Sequence, residues 1–152
     1  MKPRTGARVA AVQALYQSDQ TGETVETVLD QFVRHRIGGK GLEEGTVPAA
    51  DIPLLGRILR TAATHQDAVD GLIAGHLVEG WPMHRLDPVL RALLRAATAE
   101  LHIADGAPAK VIISEYLSVA HGFFSGEEPR MANAVLDRIA RILRPSEFAA
   151  AS

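Results

Sequence analysis

The sequence predicts an all-α protein, a compact bundle of about six to seven helices. Apolar residues recur every three to four positions, and no segment alternates with the period of two typical of a strand. Alanine, leucine and arginine are plentiful and aromatic residues make up only 5% of the chain, which favours helices over sheets. At 152 residues, 47% of them hydrophobic, we expect one domain over 1–152 with flexible ends at 1–6 and 146–152.

Six segments carry the helical pattern, and their ends are marked by capping residues and breakers. Asp51 and Asp87 each precede a proline by one or two positions, the signature of an N-cap followed by a first helical turn. Ser125 is expected to cap the last helix, and Pro145 to end it. The predicted helices span 7–17, 25–36, 52–76, 88–101, 109–123 and 127–143, with a glycine-rich loop at 38–46.

Several classes of function are excluded by what the sequence lacks. Without cysteine there is no disulfide and no thiolate metal site. The six histidines are scattered, and none has the spacing with a glutamate that a zinc helix needs. No plausible catalytic carboxylate pair or phosphate loop is present, so we expect no enzyme and no cofactor. No apolar run approaches the roughly 20 residues of a membrane span, and the N-terminus does not have the pattern of a signal peptide, which makes cytoplasm the expected compartment.

The charge distribution points to a local surface for nucleic acid. A net charge of −2 and a pI near 6.3 argue against binding by bulk electrostatics. However, Lys2, Arg4 and Arg8 precede the first acid, Asp19. The last predicted helix carries a second group of cations, Arg130, Arg138, Arg141 and Arg144. Any RNA surface should therefore use the two ends of the chain.

An aromatic pair lies close to one of these basic groups. Phe123 and Phe124 fall at a turn, and Arg130 follows in the next helix. Cations that meet phosphates beside rings that stack on unpaired bases suit single-stranded RNA. The alternative is that one or both phenylalanines belong to the core and that the basic N-terminus is an ordinary solvated end. Arg8 lies in line with Val12 and Leu15, where its head is expected to reach solvent while its stem covers the core edge.

Four motifs resemble the NusB family of transcription antitermination factors, in the right order and at the right spacing. Residues 7–17 are similar to the family's opening helix, 86–101 to its central helix and 110–121 to its penultimate helix. Residues 131–137, Met-Ala-Asn-Ala-Val-Leu-Asp, resemble a signature that is typically Phe-Val-Asn-Gly-Val-Leu-Asp. The resemblance covers essentially 7–145.

The resemblance implies a fold, a function and a set of partners. The fold would be all-helical, with two small helical subdomains. The protein would bind the boxA element of nascent ribosomal RNA transcripts as a heterodimer with NusE, a small-subunit ribosomal protein. The pair would join the RNA polymerase antitermination complex and help suppress termination. Members of the family carry no cofactor and catalyse nothing, and some homodimerise.

The resemblance also assigns residues by position. Lys2, Arg4 and Arg8 correspond to the family's arginine-rich start, as phosphate contacts. Arg130 is the basic residue before the signature, and Met131 falls where an aromatic would contact a base. Tyr16 and the exposed part of the helix at 86–101, including Leu90, match the region that faces NusE.

Departures from the family pattern predict weak RNA binding by the protein alone. Thr5 and Gly6 stand where cations are common, and each lost phosphate contact lowers affinity. Met131 cannot stack as an aromatic does, although a thioether can still pack on a base. Phe123 is a candidate to compensate in part for that loss.

Two other functions remain open from the sequence. The first is a NusB-fold interaction protein or homodimer that has weakened or lost RNA binding, which the thinned arginines and Met131 motivate. The second is the RNA-binding module of an rRNA cytosine methyltransferase. That enzyme would need a following SAM-binding domain, for which we expect residues 145–152 to leave no room.

Overall fold

The computed structural model describes residues 2–36 and 50–149. Over these ranges it contains eight α-helices and no strand, so the all-α prediction is confirmed. None of the described helices combines the length and the apolarity needed to cross a membrane. The predicted loop at 38–46 lies outside the described residues. The helices are α1 (Pro3–Thr21), α2 (Val25–His35), α3 (Ile52–Thr64), α4 (Gln66–His76), α5 (Pro88–Leu101), α6 (Ala109–Phe123), α7 (Glu128–Leu143) and α8 (Pro145–Phe148), with a 3₁₀ turn at Met83–Arg85 before α5.

The prediction of a single helix over 52–76 is wrong, because the structure contains two helices that are separated at His65. The backbone of His65 lies at φ −109° and ψ 28°, outside the helical region, and separates α3 from α4. The break lets the two halves pack on different neighbours. Helix α3 packs against α1, α2 and α5, whereas α4 packs against α5 and α7. Tertiary packing therefore overrides a continuous apolar pattern here.

Helices reach close to both ends of the described chain. Helix α1 begins at Pro3, a residue suited to a first helical turn, and it ends at Thr21, followed by a cap at Gly22 whose positive φ of 77° favours glycine. Residues 3–6, expected to be flexible, are thus helical. At the other end Pro145 does follow the end of α7, but it also starts the short helix α8.

The predicted capping role of Ser125 is wrong. The residue that precedes α7 is Glu127, and no side chain there accepts a hydrogen bond from the first turn. The other two predicted caps are present. The carboxylate of Asp51 accepts a hydrogen bond from the Leu54 amide, and that of Asp87 accepts from Val89 and Leu90.

Helix α5 is the centre of the fold. Ten of its 14 residues are buried, many of them alanines that allow neighbouring helices to approach closely. On one side α1, α2 and α3 pack against each other, and on the other α7 packs against α4, α6 and α8. Helix α5 contacts members of both groups, which share one continuous apolar core. The position of α5 fixes how the surfaces of α1 and α6 are presented.

Replacing the N-cap of this central helix tests its local stability. We expect Asp87→Ala to lower the free energy of unfolding by about 1 kcal/mol, because two amides of the first turn lose their acceptor. Urea denaturation followed by far-ultraviolet circular dichroism measures the change. Ser125→Ala is the matched control, with an expected change within about 0.5 kcal/mol. Equal losses in the two variants would contradict the assignment of the caps.

Candidate functional site

A buried ion pair joins the first helix to the centre of the fold. The guanidinium of Arg8 in α1 donates two parallel hydrogen bonds to the carboxylate of Glu100 in α5, from Nε to Oε1 at 2.9 Å and from Nη2 to Oε2 at 2.7 Å. The hydroxyl of Tyr116 in α6 donates to the same Oε1 at 3.0 Å. The third Arg8 nitrogen, Nη1, donates to Glu115 of α6 at 2.8 Å, and Thr5 donates to the same carboxylate oxygen at 2.9 Å. One guanidinium therefore connects three helices.

The environment of this network sets its ionisation. Burial opposes the charge of Arg8, but hydrogen bonds and the negative charge of Glu100 outweigh it and raise the pKa of Arg8. Burial and then the neighbouring Glu100 carboxylate raise the pKa of Tyr116 well above its ordinary value. Arg8 is therefore charged and Tyr116 neutral at physiological pH. The donors and acceptors match without any external ligand.

The prediction that the head of Arg8 reaches solvent is wrong. Arg8 is only 2% exposed, and each of its nitrogens is engaged by Glu100 or Glu115. Its position in line with Val12 and Leu15 already placed it on the buried stripe of α1. A second signal was Glu100, an acid within the most deeply buried helix, since a buried carboxylate needs a partner.

Two more of the predicted contact residues lie in the core. Leu90 is completely buried, which contradicts its placement on an exposed partner face. Met131 is also buried, because it belongs to the stripe of α7 that continues through Val135 and Ile139 into the core. A residue at these positions supports packing and has no free surface to offer a base or a partner. For both residues, the helical periodicity of the sequence already indicated a buried position.

The arginines of the last helix divide into different roles. Arg144 holds the connection between α5 and α6, because it donates to three backbone carbonyls, those of Leu101, Ile103 and Ala107. Arg141 pairs with Asp137 at 3.0 Å on the surface. Arg130, in the first turn of α7, has an 86% exposed side chain and only a distant contact with Glu127 at 3.9 Å. Of these three, Arg130 has its charge most available to a ligand.

The start of α1 presents two more available cations. Lys2 and Arg4 are exposed, and neither forms an ion pair or side-chain hydrogen bond within the part of the chain that the structure describes. The contact between Thr5 and Glu115 places this turn beside the middle of α6. Arg130 lies instead past the C-terminal end of α6. The predicted cations therefore flank α6 and do not form one cluster.

Tyr16 and Phe123, predicted for different partners, lie in the same groove. The groove has a volume of about 410 Å³ and runs between α1, the start of α5 and the end of α6. Tyr16 is 38% exposed and Phe123 44%, and Val89 lines the groove beside them. We call this surface the aromatic groove. Val89, next to the buried Leu90, is the residue of α5 that sequence analysis missed.

A polar network holds the second half of α1 in place. Asp19 accepts from Arg91 at 2.8 Å and lies 3.5 Å from Arg95, which also pairs with Asp70 of α4 at 2.8 Å. Burial opposes ionisation of Asp19, but the bonds and charges of Arg91 and Arg95 lower its pKa overall. The carboxylate thus stays ionised and fixes α1 on α5. Among the described residues, no group of three or more histidine or acidic side chains is arranged to hold a metal ion.

Removing Arg8 tests whether its role is structural. We expect Arg8→Ala to lower the free energy of unfolding by about 3–5 kcal/mol, because it leaves the buried Glu100 without its counter-charge. Arg4→Ala, on the same helix but exposed, is the control and should change stability by less than about 0.5 kcal/mol. Urea denaturation distinguishes the two, and similar small effects would contradict a buried role for Arg8.

Because the pKa of Tyr116 is raised in the folded state, the stability of the protein should depend on pH in the alkaline range. An unfolded tyrosine loses its proton at about pH 10, whereas folded Tyr116 keeps it, so the free energy of unfolding should fall as pH rises above about 10. Tyr116→Phe should cost about 1.5–3 kcal/mol at neutral pH, the value of a hydrogen bond to a charged acceptor, and should flatten the alkaline decline. Denaturation at pH 8 to 11 measures both. An unchanged alkaline slope in the variant would be inconsistent with this assignment.

Comparison with known proteins places the chain in a family. The model of the NusB family matches residues 5–141. Transcription antitermination protein NusB of Granulibacter bethesdensis is 55% identical over 152 residues, covering 97% of this chain and 93% of that protein. The protein of the same description from Gluconobacter oxydans is 51% identical, with 92% and 88% covered.

Solved structures agree with this placement. T. maritima NusB matches with a TM-score of 0.76 and 28% identity, over 99% of this chain and 100% of that one. A structure of the antitermination factors NusB and NusE in complex with dsRNA shares the fold, with a TM-score of 0.73, 22% identity, and 91% and 96% of the two chains covered. Because the family model spans most of the sequence and relatives above 50% identity align along nearly all of it, the chain belongs to the NusB family.

Proposed function

We propose that this protein is a transcription antitermination factor that binds boxA RNA together with NusE and helps RNA polymerase resist termination. The relatives that align along the chain are named for antitermination, and the similar fold of NusB has been solved together with NusE and dsRNA. One structural observation supports an adaptor role most directly. Helix α1 presents an exposed basic turn at its start and borders the aromatic groove in its second half.

The two surfaces are far enough apart to serve different partners. Arg4 and Tyr16 are separated by 12 residues of one helix, which corresponds to about 18 Å along its axis. Both ends of α1 are fixed to α5, by Arg8 at one end and Asp19 at the other. The spacing is therefore constant, as an adaptor that holds RNA beside a protein requires.

The proposed RNA contacts begin at the exposed cations. Lys2 and Arg4 would neutralise phosphates, with Arg130 as a third contact beyond α6. Arg8 and Met131 are not part of this surface because both are buried. Few phosphate contacts mean modest affinity and a shallow salt dependence, which fits a protein that reaches full affinity only with a partner.

The aromatic groove is the proposed NusE surface. Tyr16, Val89 and Phe123 give it an apolar lining, and exposed aromatic rings are enriched among residues that dominate interfaces. The exposed Gln20 adds an amide group able to form hydrogen bonds with a partner, whereas the amide of Gln17 is already engaged by Glu23 and Gln31. We assign Phe123 to this surface because it shares the groove with Tyr16.

Binding measurements with boxA RNA and NusE test both surfaces. We expect RNA affinity to rise when NusE is added. Exchanging both Lys2 and Arg4 for glutamine should weaken RNA binding and reduce the slope of log affinity against log salt by about 1.4, or about 0.7 for each lost contact with a single strand. Tyr16→Ala should weaken NusE binding about tenfold or more, the range of an interface hot spot, without changing the salt slope for RNA.

Control variants and contrary outcomes sharpen the test. Ile142→Ala removes another exposed apolar side chain, on α7, and should leave NusE binding unchanged. Binding of NusE without RNA, at any salt concentration, would replace the proposal with the interaction-protein function. Failure to bind either partner at low salt would refute the antitermination proposal.

A further inference from the structure

A second groove runs between α6 and α7. It has a volume of about 590 Å³ and lies apart from the aromatic groove. We call it the α6–α7 groove. Its polar lining comprises Lys110, Ser114, Ser118 and His121 from α6, Asn133, Asp137 and Arg141 from α7, and Glu147 from α8.

The spacing of these residues makes two facing ridges. Lys110, Ser114 and His121 recur at helical spacing on one face of α6, as Asn133, Asp137 and Arg141 do on α7. The distance from residue 110 to residue 121 corresponds to about 16 Å along the helix axis. The groove is therefore elongated and mainly polar, with Ile113, Leu117 and Phe148 as its apolar part, and it suits an extended chain.

The groups available in this groove are mostly hydrogen-bond donors. Lys110, His121 and Asn133 have no ion pair or side-chain hydrogen bond within the ranges 2–36 and 50–149. The acids that line the groove are already neutralised by the chain itself. Asp137 accepts from Arg141 at 3.0 Å, and Glu147 accepts from Arg144 at 2.7 Å and from the Ala109 amide at 2.8 Å.

This balance favours a ligand with repeated negative charges. Lys110 supplies a positive charge that no acid neutralises, and the guanidinium of Arg141 uses only Nε for Asp137, which leaves its outer nitrogens able to donate. Hydroxyl and amide groups of Ser114 and Asn133 can donate to phosphate and sugar oxygens. A nucleic-acid backbone uses all of these groups, whereas an apolar helix uses none of them.

The groove is also placed to continue the proposed RNA path. Helix α6 lies between the start of α1 and α7, since Thr5 contacts Glu115 on one side and Asn133 lies across the groove on the other. Arg130 precedes Asn133 by about one helical turn and marks the end of the groove near the α6–α7 connection. The exposed cations at 2, 4 and 130 thus flank the helix that forms one wall of the groove.

We infer that the α6–α7 groove binds the sugar–phosphate backbone of single-stranded RNA through Lys110 and Asn133. This inference rests on the proposed function, because it extends the RNA surface of the same protein. It adds contacts that lie outside the basic turn of α1. It also provides a place for phosphates that the thinned arginine cluster does not bind.

The test compares two variants of the groove by salt-titrated binding of single-stranded boxA RNA in the presence of NusE. Lys110→Gln should lower affinity about fivefold and reduce the salt slope by about 0.7, because a phosphate contact is lost. Asn133→Ala should lower affinity by a similar factor without a change of slope, because only a neutral hydrogen bond is lost. Arg34→Gln is the matched control, since it removes an exposed cation from α2, a helix that packs against α1 and α3.

The outcomes separate this inference from the proposed function. If the unaltered protein binds RNA and all three variants bind equally well, the groove inference is overturned while the RNA function stands. If Lys110→Gln weakens binding of NusE but not of RNA, the groove is a surface for an acidic protein and the inference is also overturned. If the unaltered protein binds no RNA, both proposals are refuted. Far-ultraviolet circular dichroism of each variant verifies that the fold is retained.

Discussion

The buried Arg8–Glu100 pair is the interaction on which the arrangement of the surfaces depends. It connects α1 to the central helix α5, and through Tyr116 and Glu115 it also fixes α6. A buried pair is not by itself a large source of stability, because desolvation offsets much of the attraction between the charges. Its stronger effect is on geometry, since any other registry of the three helices would leave a charge buried without a partner. The basic turn of α1 and one wall of the α6–α7 groove are both set by this constraint.

The same logic explains why few of the basic residues are available to RNA. Arg8 is used in the core, Arg144 fastens the α5–α6 connection, and Arg91 and Arg95 hold α1 to its neighbours. These four cations therefore stabilise the fold and are not available to a ligand. Lys2, Arg4 and Lys110 remain exposed without an ion pair among the described residues, and Arg130 keeps only a distant one. Net charge is a poor guide to such a surface, because availability depends on which acids lie nearby.

An adaptor needs its binding surfaces at a fixed separation, and α1 supplies that separation. The helix is held near its start by Arg8 and near its end by Asp19, and it packs along α5 between these points. Tyr16 and Phe123 meet in one groove because α6 runs beside the same helix. The proposed protein partner would then contact two helices that the buried network already aligns. Binding of the partner would require little rearrangement of the groove.

The sequence by itself determined the helical class, most helix boundaries, the caps at Asp51 and Asp87, and the family. These features depend on periodicity, capping chemistry and ordered motifs, all of which are local along the chain. The break at His65 and the burial of Arg8, Leu90 and Met131 were decided by tertiary structure. Each depends on which distant helix faces that position, so an arginine on an apolar stripe becomes a core residue only when a glutamate from α5 meets it. Packing between helices also brings Tyr16 and Phe123 into one groove, although they lie far apart in the sequence. The facing ridges of α6 and α7 likewise arise only when the two helices pack side by side.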